Sequence, residues 1–133
     1  FYIEIMKDYK KVIVVTSADK LNPICSELER IPKVTFQTSS LESDFNLLYN
    51  SKNLATSGVG TFPIAAALFS TELENFYYSN LYLEEHLNPT MVKDSKVTHH
   101  KYNVSNKYIN DYEEEKDLKK IILNRSIEVK KEN

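Results

Sequence analysis

The stretch Leu54-Ala55-Thr56-Ser57-Gly58-Val59-Gly60-Thr61-Phe62-Pro63-Ile64-Ala65-Ala66-Ala67-Leu68-Phe69 decides how this chain is read. It starts apolar, turns through the only two glycines of the sequence, and runs on into an apolar helical segment. Leu54 to Ser57 reads as a strand, Gly58-Val59-Gly60-Thr61 as a tight loop, and Phe62 to Leu73 as a helix opened near Pro63. Proline suits a first helical turn, where its missing N–H leaves no hydrogen bond unmade. Glycine lets the loop backbone take positive φ and come close to a ligand. The helix start would aim unpaired N–H groups at the same place, which suits an anion such as phosphate. The competing reading is a tight strand-to-helix turn with no ligand.

Outward from this stretch, strands and helices alternate. Val12-Ile13-Val14-Val15-Thr16 is an uninterrupted β-branched run, as in the central strand of a parallel sheet buried on both faces. Before it, Tyr2, Ile5, Met6 and Tyr9 recur at helical spacing. After it comes the polar turn Ser17-Ala18-Asp19-Lys20. Asn22-Pro23 then opens a helix with Ile24, Leu28 and Ile31 on one side, stopped by Pro32. Val34-Thr35-Phe36-Gln37 reads as a second strand. Ser39-Ser40-Leu41-Glu42 has the capping-box pattern and starts a helix carrying Leu41, Phe45 and Leu48. Asn75-Phe76-Tyr77-Tyr78-Ser79 is the fourth strand.

The order is thus helix, then β-α-β-α-β-α-β, with units of about twenty residues. Short right-handed crossovers predict an α/β fold: a Rossmann-like doubly wound parallel sheet of order 2-1-3-4 with helices on both faces. Residues 1–80 would form that core. Residues 81–133 read as an irregular, partly helical extension packing on or extending from it. Within them, Leu81 to His86 suggests a short helix, Asn88-Pro89 a break, and Thr98 to Asn110 a polar, tyrosine-containing stretch. Glu113 to Leu123 reads as a charged amphipathic helix, and Lys130-Lys131-Glu132-Asn133 as a frayed tail.

In a 2-1-3-4 sheet, a crevice opens beyond the carboxyl ends of the first and third strands. Its borders would be Thr16-Ser17-Ala18-Asp19 and Ser57-Gly58-Val59-Gly60-Thr61, so Ser17, Asp19, Ser57, Gly58, Gly60, Thr61 and Phe62 are the candidate binding residues. Asp19 at a loop tip suits hydrogen bonds from a sugar or base, against an ordinary turn aspartate. Asp44 joins the candidates, against a simple favourable contact with its helix dipole.

Composition excludes several classes. A chain of 133 residues holds one core, and its 41% hydrophobic and 27% charged content is that of a globular protein. A net charge of −2 provides no pull toward nucleic acid or anionic membrane. The longest apolar run, Phe62 to Phe69, is far short of the roughly 20 residues of a spanning helix, so no membrane contact is expected. The single Cys25 rules out an internal disulfide, and three scattered histidines rule out a Cys/His zinc cage. No third glycine completes a dinucleotide fingerprint, and no Gly-Lys-Ser/Thr phosphate loop is present. Cys25 and Tyr77-Tyr78 read as packing residues, His99-His100 as a surface pair, and Glu113-Glu114-Glu115 as a solvated helix start. The chain opens at Phe1 directly into an apolar-periodic segment and reads as a piece of a longer protein.

Taken together, these motifs resemble the C-terminal half of fucosyltransferase-like glycosyltransferases of the GT-B fold. The matching stretches are Val12 to Asp19, Asn22-Pro23, Ser39-Ser40 with Asp44 and Leu48, and Ser57 to Phe62, spread over residues 1–80. The resemblance implies a domain that binds a nucleotide sugar, GDP-fucose above all, as substrate, with no further cofactor. It implies that Asp44 contacts the guanosine end, that Gly60, Thr61 and Phe62 contact the diphosphate, and that Ser17 and Asp19 border the nucleotide. It also implies an acceptor-binding N-terminal domain in the parent protein. One departure stands out: the only arginines are Arg30 and Arg125, and neither sits in the His-x-Arg-Arg type of segment that neutralises the leaving diphosphate in those enzymes. The alternative is therefore a non-catalytic binding or scaffolding module. Asn103-Val104-Ser105 and Asn124-Arg125-Ser126 fit the N-glycosylation pattern, which agrees with the secretory-pathway lumen (Golgi or ER) that a glycosyltransferase would occupy.

Overall fold

A computed structural model describes residues 1–17, 24–57, 60–104 and 128–132. Along them run α1 (Tyr2–Met6), β1 (Val12–Val15), α2 (Ile24–Leu28), β2 (Val34–Gln37), α3 (Leu41–Tyr49) and β3 (Asn53–Thr56). Then follow α4 (Thr61–Phe69), β4 (Asn75–Ser79), a 3-10 turn at Pro89–Met91, β5 (Thr98–Val104) and β6 (Val129–Lys131). The fold is α/β, and the described strands form two sheets. One is the parallel pair β1-β2, with Val12 opposite Val34 and Val15 opposite Gln37. The other has the order β3-β4-β5-β6, parallel across β3-β4 and β4-β5 and antiparallel across β5-β6.

The expected single sheet of order 2-1-3-4 is not formed, because β1 does not pair with β3. The pairings that do form early in the chain, β1-β2 and β3-β4, each join strands separated by one helix. A β1-β3 pair would have to span two crossovers, and nothing in the local pattern of either strand specifies it. Nor is the β-branched run at the centre. Ile13 is 42% exposed, whereas Phe76, Tyr77, Tyr78 and Ser79 of β4 are all buried. β4 has a strand on each side and a helix over each face, which is why its aromatic residues disappear from water.

Alternation along β4 divides the core in two. Phe76 and Tyr78 point to one face, where they meet Ile64 and Ala67 of α4, Leu54 of β3, and Leu73, Val92 and Val97, with Leu48 of α3 packed alongside. Tyr77 points to the other face and clusters with Ile5 of α1 and Tyr102 of β5, flanked by Phe1, Tyr9, Ala55 and Val129. Phe1 adds an edge-to-face contact with Tyr102 at 5.5 Å. α1 also reaches the smaller sheet, since Lys33 Nζ, just before β2, donates to the carbonyls of Met6 and, at 2.9 Å, Tyr9. Its five residues therefore strap the two sheets together.

Several local expectations shift. The N-cap of α3 is Ser40, whose hydroxyl accepts from the Ser43 amide at 3.2 Å, so the capping hydroxyl is one residue later than the Ser39-to-Glu42 box. α4 starts at Thr61, ahead of Pro63, and ends at Phe69, where Ser70 turns to extended backbone and its hydroxyl donates to the Tyr49 carbonyl at 2.6 Å. Leu81 to His86 forms no helix. The polar stretch from Thr98 is in part a seven-residue strand, β5, and the tail forms β6 against it, with Lys131 opposite Tyr102. The helix read over 113–123 lies outside the described residues. No described helix is long and apolar enough to cross a membrane.

Phe76 is completely buried between α4 and its strand neighbours. Phe76→Ala is expected to destabilise the fold by about 3–5 kcal/mol, read as a lowered midpoint in urea unfolding followed by circular dichroism.

Candidate functional site

A cavity of about 480 Å³ lies between β1 and β3. It is lined by every residue from Lys11 to Thr16 and from Ser51 to Thr56. A cavity over a sheet face would touch alternate residues, because side chains of a strand alternate between faces. Contact with consecutive residues means that the two strands present their edges to it. Tyr2, Ile5, Met6 and Tyr9 from α1 and its following turn, Ile24, Cys25 and Leu28 from α2, Leu47 and Leu48 from α3, Phe62 and Pro63 from α4, and Tyr77 of β4 complete the wall among the described residues. No residue of β2 takes part, so the smaller sheet meets the cavity through β1.

At the carboxyl ends of the strands stand Thr16, Thr56 and Phe62. The Cys25 thiol is buried and donates weakly to Thr16 Oγ1 at 3.9 Å. The Phe62 ring meets Phe45 of α3 edge to face at 5.6 Å. α4 begins with Gly60 as N-cap at φ +158°, a conformation rarely open to other residues, although nothing lies within 4 Å of where a Cβ would sit. Among the described residues no side chain caps the start of this helix. Its first two residues, Thr61 and Phe62, carry N–H groups, while Pro63 brings none.

Of the residues singled out from sequence, Phe62 lines the cavity. Ser17 is exposed directly after Thr16, and Gly60 and Thr61 are exposed at the start of α4. The Ser57 amide donates to the Tyr2 hydroxyl at 3.0 Å, and its carbonyl accepts from the Ser79 hydroxyl. Asp44 is away from the cavity wall and buried. Its carboxylate accepts from the Ser39 amide at 3.2 Å and from Gln37 Nε2 at 3.0 Å, closing the turn from β2 into α3. Asp19 and Gly58 lie outside the described residues. Among the described residues the cationic side chains of the wall are Lys11 and Lys52, and Lys52 is paired with Glu74 at 2.7 Å.

At the opposite end of the cavity, Tyr9, Asn53 and Tyr77 of its wall belong to a polar chain with no sequence signal, which runs on to Asn75 and His100 outside the wall. The hydroxyls of Tyr9 and Tyr77 are 2.6 Å apart, and Tyr9 also donates to Asn53 Oδ1 at 3.2 Å. Asn75 Nδ2 donates to the same Asn53 oxygen at 2.9 Å. That leaves Asn75 Oδ1 as acceptor, so the His100 Nε2 found 2.9 Å from it carries a proton. The His100 ring stacks on Tyr77 with centroids 4.3 Å apart and planes 10° from parallel. Strand register assembles this group: Asn53 faces Asn75 and Tyr77 faces His100. His99, on the other face, meets Phe76 and Tyr78 edge to face, so successive side chains point apart and the pair makes no joint site. Among the described residues, no group of His, Cys, Asp and Glu is arranged to hold a metal ion.

Burial, and after it the Tyr77 hydroxyl, raises the Tyr9 phenol well above its ordinary range, so it stays protonated. Burial lowers His100 below its ordinary 6.5, reinforced by Lys131 and His99.

No protein-family model matches this chain, and no curated protein or solved structure matches it.

The lowered His100 value sets a pH dependence. The unfolded chain takes up the imidazole proton first as pH falls, so stability is fully present above the ordinary 6.5 and declines below it, toward the folded value. Unfolding midpoints measured between pH 7.5 and 5 should therefore fall, and His100→Gln should flatten that slope.

Proposed function

We propose that this chain is the donor-binding domain of a fucosyltransferase-like glycosyltransferase, holding a nucleoside diphosphate sugar, GDP-linked by preference, at the carboxyl ends of β1 and β3. The observation that carries this reading is the position of the cavity. It separates the two strands at whose ends an open α/β sheet places its ligand, with Thr16, Thr56 and Phe62 at that end. The doubly wound order belongs to the same reading, β2-β1 and β3-β4 being its two parallel halves. The apolar side chains of β1, α3 and Phe62 suit the flat faces of a base and ribose. The uncapped first turn of α4, with the Thr61 hydroxyl, suits the diphosphate. Asp44 contributes by holding the β2-α3 turn in shape.

Transfer of the sugar to an acceptor hydroxyl requires the departing diphosphate to be neutralised. Among the described residues the cavity wall carries two lysines and no arginine, so this step would fall to an N-terminal acceptor domain of the parent protein. The same observation favours a second reading, a non-catalytic binding or scaffolding module that uses the apolar wall alone.

Thermal unfolding with GDP, GDP-fucose and UDP separates the two. A guanine nucleotide at 100 times its Kd should add about 2.7 kcal/mol, a rise of several degrees in Tm, and Thr61→Ala should diminish it. An unchanged Tm with all three would leave the binding or scaffolding module.

A further inference from the structure

A cavity that holds a guanine nucleotide needs a group that tells guanine from other bases. Asp44 is not in its wall, since it closes the β2-α3 turn. Tyr77 is. It belongs to β4, which pairs with β3 on the side away from the cavity, and among the described residues it is the one from β4 that lines the wall. It lies opposite Ala55 of β3, whose single methyl group lets the ring pass over the strand. What reaches the wall is therefore the far end of the side chain, the hydroxyl. There it meets the hydroxyl of Tyr9, also in the wall, at 2.6 Å.

The direction of the hydrogen bonds decides what this pair can offer. A phenol has one proton to give and two lone pairs with which to accept. Asn53 Oδ1 accepts from Asn75 Nδ2 at 2.9 Å and from the Tyr9 hydroxyl at 3.2 Å. The Tyr9 proton is thus committed, and the proton in the 2.6 Å contact is the one Tyr77 gives. Both protons are used within the chain, so toward the cavity the two hydroxyls can only accept. The polarity is held from behind, because His100 Nε2 donates to Asn75 Oδ1 and keeps the Asn75 Nδ2 toward Asn53. The Tyr77 ring is held as well, stacked on His100 and met edge to face by Tyr9 at 6.1 Å.

A pair of acceptors with no proton to give selects among bases. Guanine carries two adjacent donors on one edge, N1–H and the 2-amino group. Adenine has an acceptor ring nitrogen on the corresponding edge, and uracil sets its one N–H between two carbonyl oxygens, so each would turn lone pairs toward lone pairs. From Asn53 to Thr56, β3 spans about 10 Å. That separation suits an extended nucleoside diphosphate with its base at the tyrosine pair and its phosphates at the carboxyl ends of the strands.

We propose that the Tyr77 hydroxyl, together with that of Tyr9, is the specificity-determining acceptor for the N1–H and 2-amino edge of guanine. This rests on the donor-binding reading above and adds to it the residues that choose the base.

Isothermal titration calorimetry of the chain with GDP and with inosine diphosphate, which lacks the 2-amino group, tests it. The native chain should bind GDP about tenfold tighter than inosine diphosphate, and Tyr77→Phe should reduce that preference to less than about threefold. Phenylalanine keeps the ring and removes the acceptor. A role confined to packing would weaken both nucleotides alike, and a ratio unchanged by Tyr77→Phe overturns the proposal. A native preference below about threefold also overturns it while leaving the donor-domain reading in place. Binding of neither nucleotide removes the reading and the proposal together. If Tyr77→Phe does not fold, Tyr9→Phe decides through the same ratio. It removes the second acceptor and frees the Tyr77 proton to face the ligand, so the preference for GDP should shrink, and an unchanged ratio overturns the proposal.

Discussion

The structure depends on one short helix that binds two sheets whose edges do not meet. α1 has five residues, too few to be stable by itself, and it owes its order to what it touches. Ile5 is buried against Tyr77 and Tyr102, the Tyr2 and Tyr9 hydroxyls reach β3 and β4, and the carbonyls at its carboxyl end hold the Lys33 ammonium. The space left between β1 and β3 is a consequence. Both sheets are positioned by the same strap, and the cavity is what remains between their nearest strands.

That geometry gives the cavity two chemically different ends. Where the strands finish, it has threonine hydroxyls, a phenylalanine ring and the start of α4. Where the strands begin, Tyr9, Tyr77, Asn53, Asn75 and His100 hydrogen-bond in one connected chain. Such a network within a packed sheet is costly to leave half-made, so it stiffens that end and fixes the His100 tautomer.

Much of the chain was legible locally. Val34 to Gln37 and Asn75 to Ser79 are strands as their β-branched and aromatic content predicts, and the serine pair before Leu41 does cap α3. The cap moved by one residue because Ser40 and Ser39 have the same chemistry and only the entry angle of the chain selects between them. Asp44 illustrates a different limit. An acid in a first helical turn reads the same whether it awaits a ligand or closes a turn, and its bonds to Ser39 and Gln37 identify the second role. β5 was missed because Thr98-His99-His100-Lys101-Tyr102 lacks the apolar alternation of a buried strand. Pairing with β4 makes it one, with Tyr102 buried and His100 stacked on Tyr77.

Periodicity and turn chemistry by themselves determined the α/β class and most of the element order, including a strand ending at Thr56 and a helix beginning at Thr61, because these follow from interactions within about a dozen residues. Which strand lies at the centre, that β1 and β3 stand apart, and that five polar side chains from four segments join in one hydrogen-bonded chain were decided only by tertiary structure. Those outcomes depend on which edges pair, and an edge has the same N–H and C=O groups whatever its side chains are. Strand sequences specify a face to bury far more strongly than a neighbour to choose.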